Sequence, residues 1–365
     1  MMKAFIVATP LQLFNSLVIM RHFYEGEKCD LFVLNIACDM HPIISRFQKL
    51  NMIDSVYYLE DVCRRQSRLG IIWDHIYTTK VQRRILSEAR DKDYTDLFTT
   101  WVGRTSTWLY TKLYENKKLN IHFYEEGIGV YIAELKSLYG YIRLMYKVLG
   151  YKFDVDNAQD LYLYQPGLCR NVNSNLKLVK IGDVTEGDVS FFNLAINSNN
   201  IRPYSAKFLF LENDFTNTVF AGIDETLIID MIALAIGTRN VAIRLHPRTN
   251  SNKYDRGKYL LDDNRDISWE NLLALEKSIE NVVLITTVST AVLSPKIIYG
   301  REPKVIILGL AIKNEFPDKE WAKYFWTNSY RDFILAFKDL YSDKSLVMIP
   351  KNFEEMKMIL NKWCN

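Results

Sequence analysis

The sequence predicts an α/β protein made of two doubly wound domains. The chain has 365 residues, and at about 150 residues per domain this length suits roughly two domains. In both halves, short apolar runs alternate with segments of helical apolar spacing, as in parallel sheets covered by helices. Residues 169–203, between the halves, are richer in Asn, Ser, Gly and Lys. We therefore predict an amino-terminal domain at 1–190 and a carboxy-terminal domain at 191–365.

Composition and charge exclude several classes of protein. Hydrophobic residues make up 48% of the chain, with only 15 Gly and 9 Pro, which excludes disordered and collagen-like proteins. The 46 Lys and Arg residues against 43 Asp and Glu residues leave a net charge of +3. This charge is spread along the chain, whereas duplex-DNA binders concentrate positive charge. We therefore expect no nucleic-acid partner.

The cysteines and the amino-terminal stretch indicate the cellular compartment of the protein. The five cysteines include no C-x-x-C pair, which argues against a disulfide framework or structural zinc site and favours a reducing cytoplasm. The amino-terminal apolar stretch is interrupted by Pro10, Gln12 and Asn15, whereas a membrane span needs about 20 uninterrupted apolar residues. We expect a cytoplasmic protein without a signal peptide or membrane span.

The first half predicts an alternation of strands and helices. The run KAFIVA at 3–8 is continuously apolar and ends at Thr9-Pro10, as expected of a parallel strand covered on both faces. Helical spacing at 11–23 then predicts the first helix. The same patterns predict strands at 29–35, 54–59, 95–101, 120–126 and 160–166, and helices at 43–50, 80–89 and 105–114.

The second half repeats this pattern. It predicts strands at 207–212, 240–245, 281–287 and 304–309, helices at 224–236 and from about 289, and an amphipathic closing helix at 353–363. In the first half of the chain, the tyrosine-rich, basic segment 139–152 fits two interpretations. One is a contact with a membrane or a lipid-linked acceptor, and the other is a core helix with basic edges.

The first candidate catalytic motif is Glu125-Glu126-Gly127, where the strand IHFY ends. Adjacent carboxylates repel each other, which raises the pKa of one toward the range of a general base. Gly127 allows a sharp turn and the close approach of a ligand. The alternative is a solvated acidic turn, and a bare E-E-G motif does not separate the two.

The second motif is Arg244-Leu245-His246-Pro247-Arg248, at the end of another predicted strand. The guanidinium groups of Arg244 and Arg248 suit phosphate oxygens, and His246 suits proton donation to a leaving phosphate. The following proline holds His246 in an extended conformation. The alternative is a surface loop with basic residues.

The third motif is Thr286-Thr287-Val288-Ser289-Thr290, after the strand VVLI. Hydroxyls and free amides at a helix amino terminus form an anion site, whereas a Ser/Thr helix cap is the alternative. We recognise no phosphate-binding glycine loop and no metal-ligand cluster. The sequence therefore predicts a site without metal or cofactor, in which arginines, hydroxyls and a helix dipole neutralise a phosphate.

Together these segments resemble bacterial sialyltransferases. ATPLQ at 8–12, the E-E-G turn, His246-Pro247 and Ser289-Thr290 occur in the order seen in glycosyltransferase family 52, the lipooligosaccharide and capsule sialyltransferases. The resemblance spans roughly residues 1–310. It implies a GT-B fold, with two Rossmann-like domains facing across a cleft, the first on the acceptor side and the second binding the donor. It also implies CMP-sialic acid as donor, a galactose-terminated glycan as acceptor, and metal-independent inversion at the anomeric carbon.

The resemblance implies roles for single residues. His246 contacts or protonates the departing CMP phosphate, which Ser289 and Thr290 help to bind. The base that deprotonates the acceptor is Glu126, the second acid of its turn, or Asp224, at the start of the helix before the His-Pro strand. Asp224 is also explained as a helix N-cap, and this sequence has Glu125-Glu126 where many relatives carry Asp. The other predicted donor-site residues are Arg244, Pro247, Arg248 and Thr287, and close backbone approach is predicted at Thr9, Pro10, Gln12 and Gly127.

Two alternative functions stay open at this point. One is a GT-B transferase that uses another donor, such as CMP-Kdo or a UDP-sugar. The other is a non-catalytic protein that binds a glycan or nucleotide. The sequence also leaves open the acceptor, the linkage, a homodimer, and a peripheral contact with the inner face of the cell membrane.

Overall fold

The computed structural model divides the chain into two compact units, Met1–Asn197 and Ser198–Asn365. The boundary predicted after residue 190 lies inside a helix, Glu186–Asn193. Polar composition predicted a linker there, but Asp188 in this helix accepts hydrogen bonds from Arg21 and His22, so the helix belongs to the first unit. The structure describes residues 2–34, 40–47, 51–59, 76–81, 83–100, 104–114, 119–132, 144–145, 147–150, 158–170, 176–193, 201–215, 220, 222–249, 253–255, 257–264 and 267–364.

The described part of the first unit contains a parallel sheet of seven strands. Their spatial order is β3-β2-β1-β4-β5-β6-β7. The strands are β1 Met2–Val7, β2 Lys28–Leu34, β3 Ile53–Leu59, β4 Tyr94–Thr99, β5 Asn120–Tyr124, β6 Ala158–Leu163 and β7 Lys177–Lys180. The central strands are buried on both faces, which explains their continuous apolar runs. β7 was not predicted, because its KLVK pattern is that of a half-exposed edge strand.

Helices lie between the first strands of this sheet, and one further helix follows β7. They are α1 Pro10–Phe23, α2 His41–Phe47, α3 Arg83–Arg90, α4 Arg104–Tyr114, α5 Ile128–Ile132 and α6 Glu186–Asn193. Residues 12–20 of α1 are buried throughout, so this helix lies in the interior of the unit. Of segment 139–152, all but six residues lie outside the described part of the chain, and both interpretations of it stay open.

The second unit repeats the topology of the first. Within its described residues, six parallel strands have the order β10-β9-β8-β11-β12-β13. They are β8 Phe208–Leu211, β9 Val241–Arg244, β10 Leu260–Leu261, β11 Val283–Thr286, β12 Val305–Ile307 and β13 Val347–Met348. The two-residue strands β10 and β13 are too short to give a sequence pattern. Phe208 and Phe210 are fully buried, and burial of such a side chain contributes about 1.5–3 kcal/mol.

The helices of the second unit cover its sheet. They are α7 Glu225–Ile236, α8 Trp269–Leu275, α9 Ser294–Tyr299, α10 Gly309–Glu315, α11 Asn328–Lys338 and α12 Phe353–Cys364. The predicted closing helix is confirmed as α12. Among the helices described, none combines the length and apolarity that a membrane crossing requires.

The fold class predicted from the sequence is confirmed. Each unit has a doubly wound parallel sheet in which the first strand lies beside the fourth, which is the Rossmann-like order. Each unit is therefore a Rossmann-like α/β domain, and two such domains are the components of the predicted GT-B fold.

Candidate functional site

Both sheets place their polar motifs at the carboxyl ends of strands. In open parallel sheets, ligands bind at this edge, where the strand order reverses. The reversal lies between β1 and β4 in the first unit and between β8 and β11 in the second. Apart from Asp224, which lies between β8 and the next helix, the predicted site residues end or follow β1, β5, β9 and β11, so each unit gathers most of its candidates at one edge.

In the first unit, Thr9 and Gln12 shape the start of α1. The Thr9 side chain accepts a hydrogen bond from the Gln12 backbone N–H at 3.2 Å, and Pro10 is the first helical residue, where a missing N–H costs least. Gln12 Oε1 accepts from the Ala8 backbone N–H at 2.7 Å. This arrangement varies the capping box, in which a Gln three residues after the cap reaches back along the chain.

The Gln12 side chain also reaches the acidic turn. Its Nε2 donates to Glu126 Oε2 at 3.2 Å, and Asn15 Nδ2 donates to the Glu125 carbonyl at 2.8 Å. The ATPLQ segment and the E-E-G turn therefore meet at the carboxyl edge of the first sheet. Gly127 follows with a φ of 132°, a backbone conformation that residues with a Cβ rarely adopt.

The two acids of this turn have different surroundings. Glu125 is 5% exposed, and its carboxylate accepts hydrogen bonds from the Tyr131 hydroxyl and, at 3.0 Å, from the Tyr164 N–H. Burial raises the pKa of Glu125 to about 7. Glu126 is partly exposed, and burial raises its pKa too. Burial is thus the main cause of both pKa shifts, whereas the sequence predicted mutual repulsion of the two carboxylates. Of the two acids, Glu126 is the one that solvent reaches.

In the second unit, a tight turn holds His246 after β9. Its Nδ1 accepts a hydrogen bond from the Arg248 N–H at 3.2 Å, which places the imidazole proton on Nε2. Burial lowers the pKa of His246, and the charge of Arg248 lowers it further. Near neutral pH the ring is therefore an uncharged donor through Nε2–H. Pro247 and Arg248 are exposed, and the guanidinium of Arg248 lies 3.8 Å from Asp214.

Arg244 does not have the surroundings of a phosphate ligand. It is 8% exposed, and its guanidinium donates to the Asp262 carboxylate and the Ile267 carbonyl. It also lies over the Trp269 ring, 5.1 Å from its centroid. The phosphate contact expected of Arg244 is therefore not supported. Its strand-end position was predicted, but its partner Asp262 comes from a later loop.

The Ser/Thr segment after β11 also differs from its prediction. In place of a helix from about 289, a 3-10 turn covers Thr290–Val292, and α9 has only six residues. Ser289 caps this turn by accepting from the Ala291 N–H at 3.3 Å, and its own N–H donates to Thr286 Oγ1 at 2.9 Å. The α-helix dipole expected here is therefore absent from the described segment.

Thr287 belongs to a buried network that motif analysis missed. The network joins Asn213, after β8, to Glu225 in the first turn of α7. Thr287 Oγ1 donates to Glu225 Oε1 at 2.6 Å and accepts from Asn213 Nδ2 at 2.7 Å. The Asn213 N–H donates to Glu225 Oε2 at 2.9 Å. Burial raises the pKa of Glu225 to about 7.

Asp224, the second candidate base, is the N-cap of α7. It is exposed, and its carboxylate accepts from the Thr226 N–H at 2.9 Å. The capping explanation given from the sequence therefore matches the geometry. Its neighbour Glu225, and the pair Glu212-Asn213 directly after β8, are the polar residues that sequence analysis missed. In the sequence, Glu212 and Asn213 are marked only by their position at the end of the apolar run FLFL.

Two Asp-x-Asp triplets also occur, at 91–93 and 154–156. The first precedes β4, on the amino edge of the sheet, and the second lies outside the described residues. Among the residues that the structure describes, no group of three His, Cys, Asp or Glu side chains is arranged to hold a metal ion.

Comparisons with known proteins give similarity of fold. No family model matches the chain, and no curated protein matches it by sequence. Among solved structures, MurG of Acinetobacter baumannii is 10% identical, with a TM-score of 0.44, covering 100% of this chain and 91% of its own. A UDP-glucosyltransferase from Polygonum tinctorium is 9% identical, with a TM-score of 0.49, covering 99% and 89%. These likenesses carry no argument about activity.

Proposed function

We propose that this protein is an inverting glycosyltransferase that moves sialic acid from CMP-sialic acid to a galactose-terminated glycan. The second domain binds the donor, the first domain is on the acceptor side, and the reaction needs no metal ion. The acceptor belongs to a bacterial surface polysaccharide or lipooligosaccharide.

One observation carries this proposal. Glu212 and Asn213, consecutive residues after β8, each hold one of the two segments predicted to contact the donor phosphate. Glu212 Oε2 accepts from the His246 N–H at 3.0 Å, and Asn213 Nδ2 donates to Thr287 Oγ1 at 2.7 Å. The His-Pro turn and the Ser/Thr segment, about forty residues apart in sequence, thus flank one strand end at the position where open sheets bind nucleotides.

In the proposed reaction, CMP departs as the acceptor oxygen attacks the anomeric carbon. The phosphate receives a hydrogen bond from Nε2–H of His246, and the exposed guanidinium of Arg248 stabilises its developing charge. The Ser289-Thr290 segment completes the phosphate site. Arg244 stabilises the fold around Asp262 and takes no part in binding.

The proton of the acceptor hydroxyl passes to a carboxylate. We assign this role to Glu126, because it is partly exposed and burial raises its pKa, which strengthens a carboxylate as a base. Glu125 is bound by Tyr131 and Tyr164, so we assign it to the shape of the turn. Asp224 is the competing base, and its capping bond to Thr226 explains its position without catalysis.

A donor screen tests the proposal. Purified protein is incubated with a galactose-terminated acceptor and, separately, CMP-sialic acid, CMP-Kdo or UDP-sugars, and free CMP or UDP is measured. Acceptor-dependent release of CMP from CMP-sialic acid is the expected result. Release from CMP-Kdo or a UDP-sugar instead would replace the donor assignment. Binding of CMP without turnover of any donor would make the protein a non-catalytic nucleotide-binding protein.

A further inference from the structure

Glu212 is a buried carboxylate beneath the His-Pro turn. It follows β8 directly, is 3% exposed, and is not part of any motif found in the sequence. Its Oε1 accepts hydrogen bonds from Lys253 Nζ at 2.6 Å and from the Tyr254 hydroxyl at 2.9 Å. Its Oε2 accepts from the backbone N–H of His246 at 3.0 Å. A buried carboxylate with three donors is firmly fixed, because the loss of any donor would leave its buried charge less well compensated.

Glu212 contacts the His246 segment through both its backbone and its side chain. Its N–H donates to the Arg244 carbonyl at 3.0 Å, which continues the β8–β9 ladder by one residue. Its carboxylate then binds the His246 N–H, two residues further along. Beyond His246, the turn closes through the Thr249 N–H, which donates to the His246 carbonyl at 2.8 Å. Glu212 thus fixes the backbone of His246 from the β8 side, and the imidazole is carried on that backbone.

The charges around His246 oppose one another. Burial and the charge of Arg248 lower the pKa of His246, while the charges of Asp214 and Glu212 raise it. Lys253, bound to Glu212, adds positive charge on that side, and Tyr254 is a neutral donor because burial raises its pKa far above the ordinary value. Removing the negative charge of Glu212 also leaves the positive charge of Lys253 uncompensated. The lost negative charge and the uncompensated positive charge both favour the uncharged imidazole.

We propose that Glu212 is the positioning residue of His246: it fixes the His-Pro turn against β8 and balances the charge of Lys253, which binds the same carboxylate. This role rests on the proposed function only where it concerns turnover. Glu212 touches no reacting atom, and it acts through His246 alone.

The first test needs no substrate. The pKa of His246 is measured by NMR on protein with labelled histidine rings, the signal being assigned by its loss in His246→Ala. In Glu212→Gln, we expect this pKa to fall by about 0.5–1, the scale of a nearby, partly compensated charge. In Lys253→Met, whose side chain is 40% exposed and tolerant of change, we expect it to rise. An unchanged pKa in both variants would overturn the proposal, and Lys253→Met alone decides it if Glu212→Gln does not fold.

The second test uses turnover. Glu212→Gln should lower kcat about 10- to 100-fold, because small displacements of a reacting group have large effects, while KM for the donor stays nearly constant. In a His246→Ala background, the same change should have no further effect, because the two residues act as one unit. If the kcat losses of the two single variants multiply in the double variant, Glu212 acts on the fold alone.

A matched control is Glu302→Gln. Glu302, before β12, also pairs with a lysine, Lys296, at 2.5 Å and accepts from the Ser342 N–H at 3.0 Å; within the described part of the chain its carboxylate binds these two residues and not the His-Pro turn. It should leave the pKa of His246 and kcat unchanged. If the NMR result holds and no donor turns over, the proposed function fails while the role of Glu212 stands.

Discussion

The two arginines of the Arg244-Leu245-His246-Pro247-Arg248 motif should respond in opposite ways to substitution. Arg244→Met removes the guanidinium that pairs with Asp262, whose side chain is 0% exposed, and leaves the Ile267 carbonyl without its donor. Loss of one partner of a buried ion pair costs about 3–5 kcal/mol, a large share of the roughly 5–15 kcal/mol that stabilises a domain. Arg248→Ala removes an exposed side chain, so its effect on stability should stay within about 0.5 kcal/mol.

Binding should show the reverse order. Loss of a charged hydrogen bond from Arg248 to a phosphate costs about 1.5 kcal/mol at the low end of its range, which weakens CMP binding about tenfold. Urea denaturation followed by tryptophan fluorescence measures the first effect, and isothermal titration with CMP measures the second. In Arg244→Met, further removal of the Asp262 charge by Asp262→Asn should restore at least about 1 kcal/mol, because the two residues are coupled. The reasoning fails if Arg244→Met keeps wild-type stability and loses only CMP affinity.

Three further predictions concern the reaction. His246→Ala should lower turnover of CMP-sialic acid about 10²–10⁴-fold, the range for loss of acid catalysis, with little change in Tm; a near-native rate would remove His246 from the mechanism. Glu126→Gln should be almost inactive while still binding CMP, and Asp224→Asn almost fully active, because Asn caps a helix about as well as Asp; the opposite result would make Asp224 the base. Activity should persist in excess EDTA, and loss on chelation that magnesium or manganese restores would show a metal-dependent enzyme.

The sequence predicted the parts of the fold that bury the most apolar surface. β1, β4 and β5 are covered on both faces, so their apolar runs are continuous and easily recognised. β7 was missed because a half-exposed edge strand has a mixed pattern. β10 was missed because two residues give no periodicity at all.

The sequence predicted where the candidate site lies in each sheet, but not which side chains bind to one another there. Motifs at strand ends were recognisable because parallel strands share one carboxyl edge. The partner of each side chain was not, because it depends on tertiary contacts: Arg244 pairs with Asp262 from a later loop, and Thr287 pairs with Glu225 from α7. Basic residues beside a histidine look alike in sequence whether they are buried, as Arg244 is, or exposed, as Arg248 is.

The two units share one more property, through the buried acids Glu125 and Glu225. Each lies near the carboxyl edge of its sheet, and each has a pKa of about 7. Near neutral pH both carboxyl groups therefore carry a fraction of a proton. A ligand that alters the surroundings of either group will change that fraction, so binding will exchange protons with the solvent. Calorimetric enthalpies of binding will then differ between buffers of different ionisation enthalpy, and the slope of that dependence will give the net number of protons exchanged on binding.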